Sequence, residues 1–340
     1  VKTAIELAEG GILPDSMIRI GIRRMLARRL EEEAAAAAER ARWREGLAQG
    51  PVTIHADAAN AQHYELPTAF FARVLGPRLK YSACLWPEDV TTLAAAEEAM
   101  LALTTERAAI EDGQRILELG CGWGSLCLYL AERFPLARIT ALSNSRTQRA
   151  FIEARARDRG IANLEVVTAD IARFDTAERF DRVVSVEMFE HVRNHRELFR
   201  RIRRWLVPGG RLFVHVFAHR IYAYPFEDEG PATWMARHFF TGGLMPSLDL
   251  LPEAARGLLE LEVRWTVDGT HYQKTLEAWL AAQDAARAEL LPLFAATYGE
   301  KDARLWFQRW RIFFMACAEL FGFREGSEWL VAHYRWRAPA

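Results

Sequence analysis

Three ionisable side chains, Glu187, Glu190 and His191, stand directly after the apolar run Val183-Val184-Ser185-Val186. A glycine-rich turn, Gly120-Cys121-Gly122-Trp123-Gly124, stands directly after a second apolar run, Ile116-Leu117-Glu118-Leu119. Two carboxylates and an imidazole at one strand end can bind a cation and move a proton. Glu187 and His191 are four residues apart, so a helical turn there would place them on one face with Glu190 beside them. His191 is the expected base, because an unperturbed imidazole titrates near pH 6.5. A metal centre is the competing use of these residues, since His191 and His195 are also four apart. Asn194 reads as a helix cap that would split that pair, and no His-Glu-x-x-His motif is present, so no metal is expected.

The glycine spacing narrows the cofactor. A dinucleotide loop uses Gly-x-Gly-x-x-Gly with an acidic residue about 20 positions on. Here the spacing is Gly-x-Gly-x-Gly, and no Asp or Glu occurs between Arg133 and Ile152. S-adenosylmethionine (SAM) is therefore expected, with Glu118 accepting from its cationic end, Asp170 accepting from the adenine amino group and Ile171 flanking the ring. Methyl transfer from a sulfonium to an amine needs a neutral nitrogen lone pair. A nearby carboxylate would bind the incoming ammonium, and His or Glu would accept its proton.

The elements that must position these groups alternate along the chain. Strands are expected at 115–119, 137–142, 164–168, 180–186 and 210–217, with helices at 124–133, 145–159 and 194–206 between them. Such alternation implies an α/β fold, a mostly parallel Rossmann-like sheet with helices on both faces, as in class I SAM-methyltransferases. Pro208-Gly209-Gly210 reads as the turn before the fifth strand. Residues 1–55 read as a helical extension, with Ser16 as a cap and a charged stretch at 31–44 that could pack against a second copy of the chain. Residues 56–340 would form the catalytic domain. Its segment at about 218–325 reads as a substrate cap that begins with an aromatic-rich insertion and continues through a strand near 262–267 and helices near 274–290 and 299–321, before a closing strand at 328–336. Tyr64, Tyr81, Trp86, Trp234, Phe239 and Phe240 could offer aromatic faces to a cationic ligand.

Composition excludes some partners. The 340 residues carry a formal net charge of −1, which gives no overall field for nucleic acid or anionic membrane. No apolar run approaches 18 residues, and the four cysteines form no Cys-x-x-Cys pair. A cytoplasmic protein with a small-molecule substrate and no stable membrane insertion is expected. Arg23, Arg24, Arg28 and Arg29 would suit a membrane-docking patch, but acids follow at 31–33 and a solvated face is the simpler reading.

The loop Leu117-Glu118-Leu119-Gly120-Cys121-Gly122-Trp123-Gly124 resembles that of the cyclopropane-fatty-acid synthase superfamily. Tyr81-Ser82, Leu142-Ser143 with Gln148, Met188-Phe189-Glu190-His191-Val192 and His271-Tyr272 continue the likeness. Within it, Leu79-Lys80-Tyr81-Ser82, Ser185 to His191, Phe226-Glu227-Asp228, Phe239 to Ser247, Ala318 to Gly322 and Glu328 to His333 look like coclaurine-type N-methyltransferases, which act on alkaloid amines. The likeness spans roughly residues 55–338. It implies a cofactor site of Tyr81, Ser82, Gly120, Gly122, Gln148, Asp170 and Ile171, with the ribose on Asn144 or Gln148. It also implies Glu187 on the substrate nitrogen and Glu190 and His191 in acid–base work. In the synthases Tyr-Ser is followed by Cys and a small residue, whereas Ala83-Cys84 reverses that order here, and the position of Glu187 is typically Gly. Glu190, His215 and Tyr272 do match the remaining bicarbonate positions of a synthase, which keeps lipid cyclopropanation as the alternative. A non-catalytic SAM-binding scaffold is the alternative of another class. His215 and Tyr272 join Tyr64, Trp86, Trp234, Phe239 and Phe240 as expected substrate contacts.

Overall fold

The computed structural model describes residues 2–54, 67–227 and 234–340. Tyr64 lies outside the described residues.

Five parallel strands, β1 (Arg115–Leu119), β2 (Arg138–Ser143), β3 (Leu164–Thr168), β4 (Phe180–Val186) and β5 (Leu206–His219), form the centre of a sheet. A separate antiparallel pair, β6 (Tyr224–Pro225) and β7 (Leu244–Met245), follows in the chain, and two further strands, β8 (Glu260–Val267) and β9 (Trp329–Arg337), extend the main sheet through antiparallel pairings. The order is β3-β2-β1-β4-β5-β9-β8, so the direction of winding reverses between β1 and β4. The mostly parallel α/β sheet read from the sequence is the architecture found. At such a reversal the loops after the two strands diverge and leave a crevice at the carboxyl edge. The glycine turn follows β1 and Glu187 follows β4, which puts both expected motifs at that crevice.

Alternate residues on each strand feed separate cores. Ile116, Ile139, Val184 and Phe213 pack with Leu126, Leu130 and Ile152 from helices Ser125–Arg133 and Arg146–Asp158. Leu117, Leu119, Val183, Leu212 and Val214 pack on the other face with Phe199, Ile202 and Trp205 from helix His195–Trp205. The period of two thus sends Glu118 to the first face. A third core covers the carboxyl edge, built from helices Thr68–Val74, Gly269–Ala285, Arg287–Tyr298 and Ala303–Gly322. Helix Asp15–Ala35 is tied to that layer by Arg19, which bridges Glu277 at 2.6 Å and Glu319 at 3.0 Å.

Several boundaries differ from expectation. The helix that Ser16 was expected to cap begins at Asp15 after Pro14, with no side-chain cap. Pro208-Gly209-Gly210 is no turn between elements: β5 starts at Leu206, and the glycines absorb a register shift opposite Phe180 and Arg182. The segment expected as one helix at 274–290 is two, the first starting at Gly269 because the Asp268 carboxylate accepts from Thr270 N at 2.8 Å. Among the described residues no helix is long and apolar enough to cross a membrane.

Candidate functional site

One cavity of about 260 Å³ opens at the carboxyl edge between β1 and β4. Its walls come from two sources. The strand ends supply Glu118, Gly120, Gly122, Asn144, Gln148, Asp170 and Ile171, with Tyr81 and Ser82 from the loop before helix Leu93–Arg107. The covering layer supplies Phe217, Phe226, Phe240, Met245, Tyr272, Phe313 and Phe321. Glu187, Glu190 and His191 line the same cavity.

The loop after β1 is shaped for close approach. Gly120 has φ +82°, and a Cβ there would meet Met188 Cγ at 2.9 Å. Gly124 has φ +84°, and a Cβ would meet Ile152 Cγ1 at 2.7 Å. Neither position accepts a side chain without both backbone strain and a clash. Gly120→Ala is expected to lower stability by about 1–2 kcal/mol from the backbone alone, read as a lower thermal midpoint, and to weaken cofactor binding in calorimetry. An alanine variant with unchanged melting and unchanged affinity would refute this reading of the loop.

Buried polar atoms turned to the cavity need a ligand. Among the described residues Glu118 Oε2 and Gln148 Nε2 have no hydrogen-bond partner. Burial pushes the Glu118 carboxyl up to about 8, with a hydrogen bond from Cys127 working the other way. An acceptor at the end of β1, a donor beside β2 and a glycine turn between them suit a zwitterionic, sugar-bearing cofactor such as SAM. No helix N-terminal phosphate cradle is needed for one.

The acid–base row is not a helical face. Glu187 adopts φ +46°, a left-handed conformation unusual for a residue with a side chain. Only Phe189–His191 forms a short 3₁₀ turn. The strained backbone sends the two carboxylates to different partners. Glu187 Oε1 accepts from Ala83 N at 2.9 Å and from His215 Nε2 at 3.1 Å, and Oε2 accepts from Tyr272 Oη at 2.6 Å. Glu190 is buried, and its Oε2 has no partner among the described residues.

These surroundings separate the two pKa values. Burial raises Glu187 above the ordinary carboxylate value, opposed by the Lys80 charge and the Tyr272 and Ala83 hydrogen bonds. Glu190 is raised well above the ordinary value by burial and then by the charge of Glu187. Of the pair, Glu187 is therefore the stronger acid and Glu190 the one that more readily binds a proton. Burial lowers His191 to about 4, against the attraction of Glu187, so its ring is neutral around pH 7. The preference for His191 as base rested on an unperturbed imidazole, which this site does not contain. His191 instead stacks on Phe240, with centroids 4.9 Å apart. His195 does not join it, since its Nε2 lies 2.8 Å from Phe189 O. Asn194 caps that helix as expected, accepting from Glu197 N at 3.0 Å.

Three expected substrate contacts lie elsewhere. Trp86 is a brace: its indole N–H donates to Thr275 Oγ1 at 3.0 Å, and its backbone N–H donates to His271 Nδ1 at 2.9 Å. Phe239 is fully buried and stacks on Phe313 with centroids 4.4 Å apart. Trp234 donates to Glu9 at 2.8 Å, joining the segment after β5 to the first helix. In each case a large aromatic surface is buried against neighbouring elements rather than presented to the cavity. His215 also stands behind the cavity wall and reaches it only through Glu187. Sequence reading passed over Lys80, a buried ammonium that donates to Ser82 Oγ and Ala83 O. It also passed over His333, whose Nε2 lies 2.9 Å from His215 Nδ1 behind the cavity wall. Both lie in stretches that carried the family likeness, but nothing in one dimension marks Lys80 as buried.

Residues 53–329 match the family described as mycolic acid cyclopropane synthetase. An (S)-coclaurine N-methyltransferase of Thalictrum flavum subsp. glaucum is 35% identical over 96% of this chain and 92% of its own. The crystal structure of a coclaurine N-methyltransferase bound to N-methylheliamine and SAH, at 34% identity, superposes with a TM-score of 0.94 over 98% of both chains. A cyclopropane-fatty-acyl-phospholipid synthase of Escherichia coli (strain K12) is 29% identical over 81% of this chain and 67% of its own.

Proposed function

The chain belongs to the mycolic acid cyclopropane synthetase family, and we infer that within it this chain is a SAM-dependent N-methyltransferase of small aromatic, tetrahydroisoquinoline-like amines. The observation that carries this reading is the Glu187 carboxylate. By the family likeness, His215 and Tyr272 stand at positions that contact bicarbonate in the synthases. Here both donate to Glu187 instead, together with Ala83 N. A built-in anion occupies the donor set that an added one would need. A fixed negative charge also suits a cationic amine and opposes a buried acyl chain.

Tyr81, Ser82, Glu118, Gly120, Gly122, Asn144, Gln148, Asp170 and Ile171 line the part of the cavity that would hold SAM, which when bound would supply an electrophilic methyl on a positively charged sulfur. The acceptor nitrogen must present a lone pair to it. Glu190, raised in pKa and with no partner for Oε2 among the described residues, shares one proton with that nitrogen, and in the reactive arrangement the proton rests on Glu190. Glu187 remains ionised and stabilises the cation that develops on nitrogen. His191 and Phe240, stacked on each other, and Tyr272 present aromatic faces to the ring of the amine. Phe217, Phe226, Phe313 and Phe321 exclude water from the remainder.

The decisive assay compares SAM turnover with a tetrahydroisoquinoline amine and with an unsaturated phospholipid plus bicarbonate. Turnover on the amine alone is expected; turnover on the lipid alone would replace this reading with cyclopropanation. The pH profile gives a second check. Because Glu190 must be ionised to take the proton, kcat/KM for the amine should fall as pH drops through its raised pKa. That acid limb should lie above the ordinary carboxylate range and persist in His191→Asn. A limb lost in His191→Asn would return the base role to the imidazole.

A further inference from the structure

Arg107, His333 and His215 do not line the cavity, yet they form a continuous chain of hydrogen bonds that ends on Glu187. His215 on β5 and His333 on β9 are paired in register across neighbouring antiparallel strands. His333 Nε2 lies 2.9 Å from His215 Nδ1. The last residue of helix Leu93–Arg107 closes the far end, with an Arg107 guanidinium nitrogen 2.9 Å from His333 Nδ1.

The chemistry of the two ends dictates every proton between them. A guanidinium only donates and stays protonated. His333 Nδ1 must therefore accept, which leaves the proton of a neutral His333 ring on Nε2. That N–H donates to His215 Nδ1, so the proton of His215 is on Nε2 and points at the Glu187 carboxylate. Both rings are fully buried, and burial holds both well below the ordinary imidazole pKa, so each carries one proton. With neutral rings no other assignment satisfies all three contacts.

We propose that Arg107 is a positioning residue for methyl transfer: through His333 it fixes the tautomer of His215, so that Glu187 always receives a hydrogen bond and is held as the carboxylate that faces the amine. This deepens the N-methyltransferase reading and rests on it for the role of Glu187. Without Arg107 the reverse order becomes available. Each ring then carries its proton on Nδ1, His215 Nε2 offers a lone pair, and Glu187 takes one proton from solvent to donate to it. The reversed chain holds a neutral Glu187.

Other groups facing Glu187 act on the same balance. Lys80 favours its anion, Glu190 opposes it when ionised, and Tyr272 donates to it. His191 from the 3₁₀ turn would add to the anion's stability only if protonated, and Cys317 from helix Ala303–Gly322 faces it as a thiol, its pKa pushed up to about 12 by burial. None of these sets the direction of the histidine pair.

The test is the nitrogen-15 spectrum of the histidine rings in the full-length enzyme with S-adenosylhomocysteine bound at neutral pH, beside the kinetics of Arg107→Met and Arg107→Lys. The wild type should show His215 and His333 with unprotonated Nδ1 and protonated Nε2. Arg107→Met should mix the tautomers and raise the pKa of Glu187, so that the two carboxylates as a pair take up their first proton at higher pH and the acid limb of kcat/KM for the amine moves up by about one pH unit. S-adenosylhomocysteine affinity should stay the same, and Arg107→Lys, still a pure donor, should restore the limb. Either ring protonated on Nδ1 in the wild type would overturn the proposal. So would an unmoved limb in a folded Arg107→Met enzyme. A wild type that methylates no amine would defeat the N-methyltransferase reading alone, since the tautomers decide the wiring independently.

Discussion

Glu190→Gln is expected to lower kcat/KM for the amine by roughly 10²–10⁴-fold, the usual contribution of a positioned acid–base group. Gln keeps the length and burial of the side chain but cannot take a proton. The lost factor corresponds to about 3–5 kcal/mol of transition-state stabilisation. S-adenosylhomocysteine affinity should change little, because Glu118 and Gln148, whose Oε2 and Nε2 have no hydrogen-bond partner among the described residues, stand beside the glycine loop, whereas Glu190 follows β4. The residual activity should also lose the raised acid limb, since Glu190 is the carboxyl raised well above the ordinary value and the remaining Glu187 is held as an anion by its three donors. Stopped or steady-state kinetics across pH, with calorimetry for the cofactor, separate these effects. Activity within a few fold of wild type would show that the nitrogen reaches the cavity already deprotonated and needs no base from this chain.

Removing the neighbouring carboxylate should act in two ways. Glu187→Ala leaves the Tyr272 hydroxyl, the His215 Nε2–H and the Ala83 N–H without their acceptor. It also leaves the buried Lys80 ammonium without one of the charges that offset its burial. Stripping one partner from a buried charged network costs about 3–5 kcal/mol, so a clear drop in thermal midpoint is expected alongside the loss of amine turnover. Glu187→Gln separates charge from shape. Its amide oxygen can accept from two of the three donors, and the Tyr272 hydroxyl can turn to accept from the amide N–H. Stability should largely recover, but the negative charge that lifts Glu190 is gone. The acid limb should then move to lower pH, the opposite direction from Arg107→Met. A limb that stays in place in Glu187→Gln would show that the two carboxylates do not titrate as a pair.

The chemical parts were legible in the primary structure because each is a local signal. A glycine turn between an apolar run and a helix needs only the residues of that turn. Asn194 announced its helix, and Gly120, Gly122, Asp170 and Ile171 line the cavity because they follow strand ends, where α/β sheets gather ligands, with Asn144 and Gln148 named by the family likeness beside them. Alternation of apolar runs was enough for the mostly parallel sheet. The register and the antiparallel placing of β9 were not, since they depend on which strands become neighbours.

Whatever depends on burial or on distant neighbours was settled only by the tertiary structure. Trp86, Trp234 and Phe239 are aromatic in sequence exactly as Phe240 is, but only packing assigns the first three to core and braces and the last to the cavity wall. His191 begins with an imidazole's ordinary pKa, and desolvation removes it from the physiological range. Glu187 and Glu190 are chemically identical residues three positions apart. One is surrounded by donors and the other is raised well above the ordinary carboxylate range, because a left-handed backbone at Glu187 turned it toward donors from three other segments. His215 and His333 are far apart in the chain and adjacent in the sheet. Residue type and spacing determine which groups can do chemistry. Dielectric, strand pairing and hydrogen-bond direction are properties of the folded neighbourhood, and they decide which group does what.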